Sequence, residues 1–308
     1  MITPERIQDA AAALHEEAVA TRRHLHQNPE LSFQESETAA YVALRLEAAG
    51  IPHRTGVGGH GIVALIEGRG ERTVALRADM DALPIQETND VPYRSCVDGV
   101  MHACGHDGHT TSLLTAGRIL TGLGDELPGR VVLIFQPAEE RSPGGAAPMI
   151  HEDVLDGGLA IPAAGQPRTA PRVDTVIGQH VNPEIPVGTV GFRSGLFMAS
   201  VDDVYITVRG RGGHAAKPHQ AVDPVIVAST LVVALQQVVS RRADPVVSSV
   251  LSFGYIRGDG AHNVIPDEVE LAGTFRTTDP AWRDEAVKLI EQTARDLAAS
   301  LGADADVR

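Results

Sequence analysis

The chain has 308 residues, 43% hydrophobic and 21% charged, a balance that fits soluble globular domains and excludes a disordered chain, a collagen or a coiled coil. Lys and Arg number 26 against 40 Asp and Glu, and the resulting net charge of −14 argues against non-specific binding to nucleic acid or to an anionic membrane surface. The length suggests two domains, no apolar run is read as reaching the roughly 20 residues of a membrane span, and two cysteines, Cys96 and Cys104, cannot form a disulfide framework.

The first seventeen residues have neither a basic n-region nor an apolar h-region, so they read as the start of a mature, cytoplasmic chain. An Ala-rich amphipathic stretch runs from Pro4 to about Gln27, where Asn28-Pro29 stops it. A second helix is expected from Glu35 to Ala49, closed by Gly50. Two β-rich runs begin at Gly61 and Thr73, and residues 82–103 read as a long loop. A helix is expected from His109 to Leu123. The near-continuous apolar runs from Arg130 and Asp174 read as strands covered on both faces. The Pro/Gly/Ala-rich segment 157–172 reads as a surface insertion.

After about Thr189 the pattern changes to strand (from Val201), apolar helix (Asp223 to Arg241), two strands (from Val246 and Val269) and amphipathic helix (Pro280 to Leu301). This is a split βαβ unit short of its last strand, because the sequence stops where that strand should begin.

Several polar clusters fall at the ends of these runs. Met101-His-Ala-Cys-Gly-His-Asp-Gly-His109 gathers four His and Cys side chains able to hold a metal. Thiolate and imidazole suit Zn²⁺ or a similar transition ion, and a turn at Gly105 would bring Cys104 and His106 together; a buried Cys beside a capping His is the other reading. Glu139-Glu140 follows the buried strand from Arg130, where one carboxylate could bind a metal while the other faces a substrate as general base; a solvated turn is the alternative. His180 ends the next apolar run and could complete a cluster with Cys104, His106 and Glu140. Asp79 and Asp81 end the strand from Thr73 and could orient such ligands, or simply close the strand. His15, His24, His26, His53, His60 and His151 read as solvated or structural. In the second half, His214 lies in a Gly-rich loop, while Asn263 and Arg276 could serve as amide donor and carboxylate clamp. No nucleophile elbow, P-loop or dinucleotide fingerprint is present.

Taken together and in order, Arg22-Arg-His-Leu-His-Gln-Asn-Pro-Glu, Arg77-Ala-Asp-Met-Asp-Ala-Leu-Pro, Met101-His-Ala-Cys-Gly-His-Asp-Gly-His, Gln136-Pro-Ala-Glu-Glu, Gly212-Gly-His-Ala-Ala-Lys-Pro-His, Asn263-Val-Ile-Pro and Gly273-Thr-Phe-Arg resemble one family. It is that of the aminoacylase/carboxypeptidase-like metallopeptidases, in the branch of hippurate hydrolases, bacterial N-acyl-amino-acid amidohydrolases and plant auxin-conjugate hydrolases. The resemblance implies an α/β fold: a zinc-peptidase-like catalytic domain over 1–188 and a smaller ferredoxin-like lid, the dimerisation domain, over 189–308. It implies two divalent ions per subunit (Zn, Mn, Co or Ni), with Cys104, His106, Glu140 and His180 as ligands, Glu139 as general base, His214 polarising the scissile carbonyl, and Asn263 and Arg276 placing the substrate.

The activity implied is metal-dependent amide hydrolysis of a small N-acyl amino acid by a homodimer, with no nucleic-acid or membrane partner. In the family the chain returns from the lid to the catalytic domain and supplies a final His ligand. Stopping at Arg308, this sequence is expected to lack that ligand and the lid's last strand. A truncated homologue that only binds metal or ligand, and a dipeptidase or carboxypeptidase of the same family, are the alternatives.

Overall fold

A computed structural model describes residues 2–163 and 166–308 and divides into two compact units, Met1–Val187 and Gly188–Arg308.

In the first unit the Ala-rich stretch forms two helices, α1 (Pro4–Ala13) and α2 (His15–Gln27), broken at Leu14. Thr3 caps α1 by accepting from the Arg6 N–H, and Pro4 occupies its first turn, where a missing N–H costs nothing. Next come α3 (Ser36–Ala48), then β1 (His53–Val57), β2 (Gly61–Ile66) and β3 (Thr73–Asp79). Strand β1 is polar and partly exposed, so its sequence carries no apolar alternation to announce it. After the loop come α4 (His106–Leu123), β4 (Arg130–Gln136), α5 (Ala146–His151), β5 (Ala160–Ile161), β6 (Arg168–Thr169) and β7 (Thr175–Gly178).

Strands β1, β2, β4, β3 and β7 form one sheet in that order, antiparallel from β1 to β4 and parallel from β4 to β7. Its pleat sorts the apolar run of β4 between two cores. Val131, Leu133 and Phe135 join Val42, Leu46, Leu113 and Leu114 of the helices, whereas Val132 and Ile134 join Met149, Val154 and Ile161 on the opposite face. That double burial is why β4 reads as continuously hydrophobic.

Two sequence expectations need correction here. Strand β7 is exposed throughout, with Val176 and Ile177 about half accessible: it lies at the sheet edge beside β3, and among the described residues its side chains join neither core. The 157–172 segment is not merely superficial: β5 pairs with β6, and Leu159, Ile161 and Ala170 are buried beneath the sheet; its residues 164–165 lie outside the described residues.

The second unit contains β8 (Ser200–Arg209), β9 (Gly213–His214), α6 (Pro224–Gln237), β10 (Ser249–Arg257), β11 (Val264–Ile265), β12 (Glu268–Thr277), α7 (Pro280–Ser300) and β13 (Asp304–Val307). Asp223 and Asp279 cap α6 and α7, each followed by a proline at the first helical position. The main sheet runs β10-β12-β8-β13, all antiparallel, and buries Val204, Ile206, Leu271 and Phe275 with Leu231, Leu235 and Ile290 of the helices. This is the ferredoxin-like order.

The expected missing strand is partly present. Strand β13 pairs with β8 from Asp304↔Arg209 to Val307↔Ile206, and Tyr205 and Arg308 exchange backbone hydrogen bonds, so the Tyr205–Arg209 half of that edge is covered. The expectation that no run is long enough for a membrane is also too strict. Pro224–Arg242 is one helical run of 19 residues with mean hydropathy 1.4, sufficient by length and composition. Here α6 lays Val227, Leu231 and Leu235 on the sheet, which accounts for its apolarity as a core helix.

Candidate metal centre

Strands β3, β4 and β7 run parallel, so their carboxyl ends open on one rim of the first unit's sheet. Open α/β sheets place ligands on that rim. Asp79 and Asp81 follow from β3, Glu139 and Glu140 from β4, and His180 from β7, while α4 starts at His106.

Gly105 makes the convergence of Cys104 and His106 geometrically allowed. Its φ is 88°, in the left-handed region, and a Cβ there would lie 2.4 Å from Val181 Cγ2. The chain therefore reverses between Cys104 and the helix, and the two side chains face one point instead of opposite sides.

Cys104 Sγ lies 3.2 Å from His180 Nε2. His180 Nδ1 donates to the Val181 carbonyl at 2.6 Å, which leaves the Nε2 lone pair facing the sulfur. His106 is fully buried, with Nε2 3.7 Å from Glu140 Oε1 and Nδ1 3.3 Å from Asp81 Oδ1. Two triads thus share His106: one donor atom each of Cys104, His106 and His180, and of His106, Glu139 and Glu140, lie within 4.8 Å of one another. The four residues expected as ligands are brought together, and Glu139 stands exposed beside them.

A third grouping, Asp79, His106 and His109, is equally tight, but Asp79 and His109 are already engaged by hydrogen bonds. The Val181 N–H donates to His109 Nε2 at 2.9 Å, so His109 Nδ1 donates to Asp79 Oδ1 at 2.7 Å. Arg77 Nη1 donates to the other Asp79 oxygen at 2.6 Å. Asp79 and His109 therefore support the rim. His109 belongs to the dense His/Cys motif from Met101 to His109, and its supporting role in place of a ligand's is set by its bonds to Asp79 and Val181.

The electrostatics follow from burial and crowding. Burial and the neighbouring Glu140 push the Cys104 thiol up to about 12, a bias that a bound cation reverses by favouring thiolate. Burial opposes charge on His106, but the Asp81 contact and the fields of Asp79, Asp81 and Glu140 outweigh it and raise its pKa. Burial also works against Asp79, yet His109, His106 and Arg77 hold that carboxyl far below its usual range. Burial and Glu140 raise Glu139. Both His106 ring nitrogens and Glu140 Oε1 are buried without a hydrogen-bond partner. Such orphaned donors, with sulfur, imidazole and carboxylate in one cluster, fit a divalent transition ion.

The remaining predicted residues belong to the second unit. His214 and Asn263 come together there: β9 pairs with β11, the Ala215 N–H donates to the Asn263 carbonyl at 3.1 Å, and both residues are exposed. Arg276 is not with them. It sits on β12 eight positions beyond Glu268, about 27 Å along an extended strand.

Fold and rim together define a two-unit α/β protein with a cluster of side chains able to hold a metal ion, and similarity to known proteins places it further. Residues 75–306 match the model of peptidase family M20/M25/M40. N-acetyl-L-cysteine deacetylase of Bacillus subtilis is 42% identical over 96% of this chain and 68% of its own length. N-acyl-L-amino acid amidohydrolase of Geobacillus stearothermophilus is 40% identical over 100% of this chain and 79% of its own. The YxeP protein of Bacillus subtilis, described as a dinuclear metal binding peptidase from the M20 family, superposes with a TM-score of 0.75 at 36% identity, over 96% of this chain and 74% of that one. The chain belongs to peptidase family M20/M25/M40, and it is a hydrolase.

Proposed function

We propose that the protein hydrolyses the amide bond of N-acyl amino acids, hippurate-like compounds included, releasing a carboxylate and a free amino acid. The observation that carries this reading is the pairing of Glu139 and Glu140 at His106 on one turn: an oxygen of each lies within 4.8 Å of the other and of a His106 nitrogen, with Glu140 partly buried against the imidazole and Glu139 exposed. Adjacent carboxylates with separate duties are what a metal-assisted hydrolysis needs. The names of the amidohydrolase and deacetylase relatives support the substrate class.

In this reading Cys104, His106, Glu140 and His180 hold divalent metal, with zinc, manganese, cobalt and nickel as candidates and two ions as the full complement. Bound metal supplies Lewis-acid activation of water and of the amide carbonyl. Glu139 accepts the proton of the attacking water and returns it to the leaving nitrogen, a task helped by a pKa raised toward neutrality. His214 polarises the carbonyl and Asn263, its neighbour across β9 and β11, positions the substrate. The protein acts as a homodimer through the second unit, a reading supported by the exposed Val225, Ile226 and Val233 on α6.

The test is release of free amine from N-acetyl amino acids and N-benzoylglycine by protein loaded with Zn²⁺ or Mn²⁺, with Glu139→Gln as control. The wild type should turn over. The variant should lose about 10²–10⁴-fold in kcat while keeping its metal. Cleavage of dipeptides with no release from N-acyl amino acids would move the assignment to the peptidase alternative.

A further inference from the structure

Glu35 precedes α3 and is completely buried. Its Oε1 accepts two backbone hydrogen bonds, from the Phe33 N–H at 3.0 Å and the Ala138 N–H at 2.7 Å. Phe33 and Ala138 are both left-handed, with φ of 68° and 48°. Residues with a Cβ resist that conformation, so it persists where surrounding groups hold it.

Ala138 is the hinge between β4 and Glu139. The chain leaves β4 at Gln136, passes Pro137, turns at Ala138 and then presents Glu139 and Glu140. The turn is held at three points. Glu35 takes the Ala138 N–H, the Gly145 N–H donates to the Ala138 carbonyl at 3.0 Å, and Asp81 Oδ2 takes the Glu140 N–H at 2.9 Å. Asp81 also lies against His106, so it serves the proposed ligands directly. Among the described residues the Glu35 side chain accepts from the backbone N–H groups of Phe33 and Ala138, and its second oxygen, Oε2, is buried without a partner.

We propose that Glu35 is a positioning residue for Glu139: its carboxyl oxygen locks Ala138 in the left-handed turn that sets Glu139 beside His106 and Glu140. The inference rests on Glu139 being the base. Burial and the nearby Asp81 charge raise the Glu35 pKa, so the charged form is disfavoured there. What the turn needs from Glu35 is therefore an acceptor oxygen at that place. Glutamine offers the same oxygen at the same reach, and leucine offers none.

The experiment compares the full metal-loaded chain with its Glu35→Leu and Glu35→Gln variants. Glu35→Leu should lower kcat by about 10²-fold, the cost of a misplaced catalytic group, with KM and metal per chain unchanged. Glu35→Gln should restore most of kcat. Hydrogen exchange at the Ala138 amide supplies the reading that does not depend on activity: protection falls in the leucine variant and survives in the glutamine variant. If Glu35→Leu does not fold, Glu35→Asp withdraws the acceptor by one methylene and should show the same loss of kcat and of Ala138 protection. Native kcat, parallel loss of kcat, KM and metal, or unchanged Ala138 protection in the leucine or aspartate variant would each overturn the proposal. Should the wild type hydrolyse no N-acyl amino acid, the function assigned to Glu139 fails, and the exchange data still decide whether Glu35 holds the turn.

Discussion

Gly105 carries two separate constraints, and they can be told apart by mutation. A left-handed φ penalises any Cβ by about 1–2 kcal/mol, and the contact with Val181 adds a steric cost. Gly105→Ala should weaken metal binding, because relief of either constraint swings Cys104 away from His106. Val181→Ala removes the methyl in the way, so the double variant should recover part of the affinity but not the share set by φ. Titration of Zn²⁺ against a competing chelator measures both; full recovery in the double variant would mean that backbone conformation is irrelevant there. At this scale the sequence was most informative where chemistry is dense. The Cys104-Gly105-His106 spacing and the Glu139-Glu140 pair each had a plain structural alternative, and it was their combination that pointed to a site, because metal and proton chemistry limit the residue types. Glu35 did not, since an acidic residue before a helix is ordinarily a solvated cap, and only the tertiary fold buries it under Ala138.

The elements around the rim are tied by a second buried network. His26 of α2 lies between two carboxylates, Asp107 of α4 at 2.8 Å and Glu87 of the long loop at 3.1 Å, with Arg22 against Asp107 at 2.8 Å. His102 and Tyr93 complete its surroundings. His102 stays neutral, its pKa driven down to about 4 by burial. Glu87 also takes the Ser95 N–H, and Leu83 and Met101 bridge the loop's ends, so residues 82–103 are fastened to two helices although they contain no regular element. The Asp107 hydrogen bond chiefly raises the His26 pKa, against burial and with help from Glu87. Because the folded value lies above the unfolded one near 6.5, charged His26 stabilises the fold fully below about pH 6.5, and that contribution is lost as pH rises through the folded value. Burial opposes charge on Asp107 and Glu87, yet His26 and the other partners lower both, so their contributions act in the other direction and vanish as pH falls. Urea unfolding from pH 6 to 9 should show wild-type stability declining with a slope that His26→Gln flattens; an identical slope in the variant would remove His26 from the account. None of this was readable in advance. Periodicity located α2, α4 and the loop, but a His in a polar context gives no sign that two acids from distant segments will enclose it.

At the scale of the whole molecule, the order of the long apolar elements in both halves was legible because each such run answers to one sheet or one helix stripe, as β4 and α6 show, whereas β1, α5 and the two-residue strands carry no such run. Exposure was not: β7 is as apolar in sequence as a buried strand, and its place at the sheet edge comes from topology alone. The division of chemistry between the two units leads to a prediction about linkage. Cys104, His106, Glu140 and His180 all belong to the first unit, whereas His214, His219 and His262 belong to the second. A ligand that binds only the folded state stabilises it by about 2.7 kcal/mol at a hundred times its Kd. Zn²⁺ or Mn²⁺ at that excess should therefore raise stability by this order. The largest gains in hydrogen-exchange protection should fall at the carboxyl ends of β3, β4 and β7 and in the first turn of α4, where the ligand-bearing backbone is anchored. Replacing His106 with Ala should abolish both the stabilisation and the protection, since His106 is common to both donor triads. Protection gained instead around His214 and His262, and surviving that replacement, would place the metal in the second unit and remove the rim of the first from the chemistry.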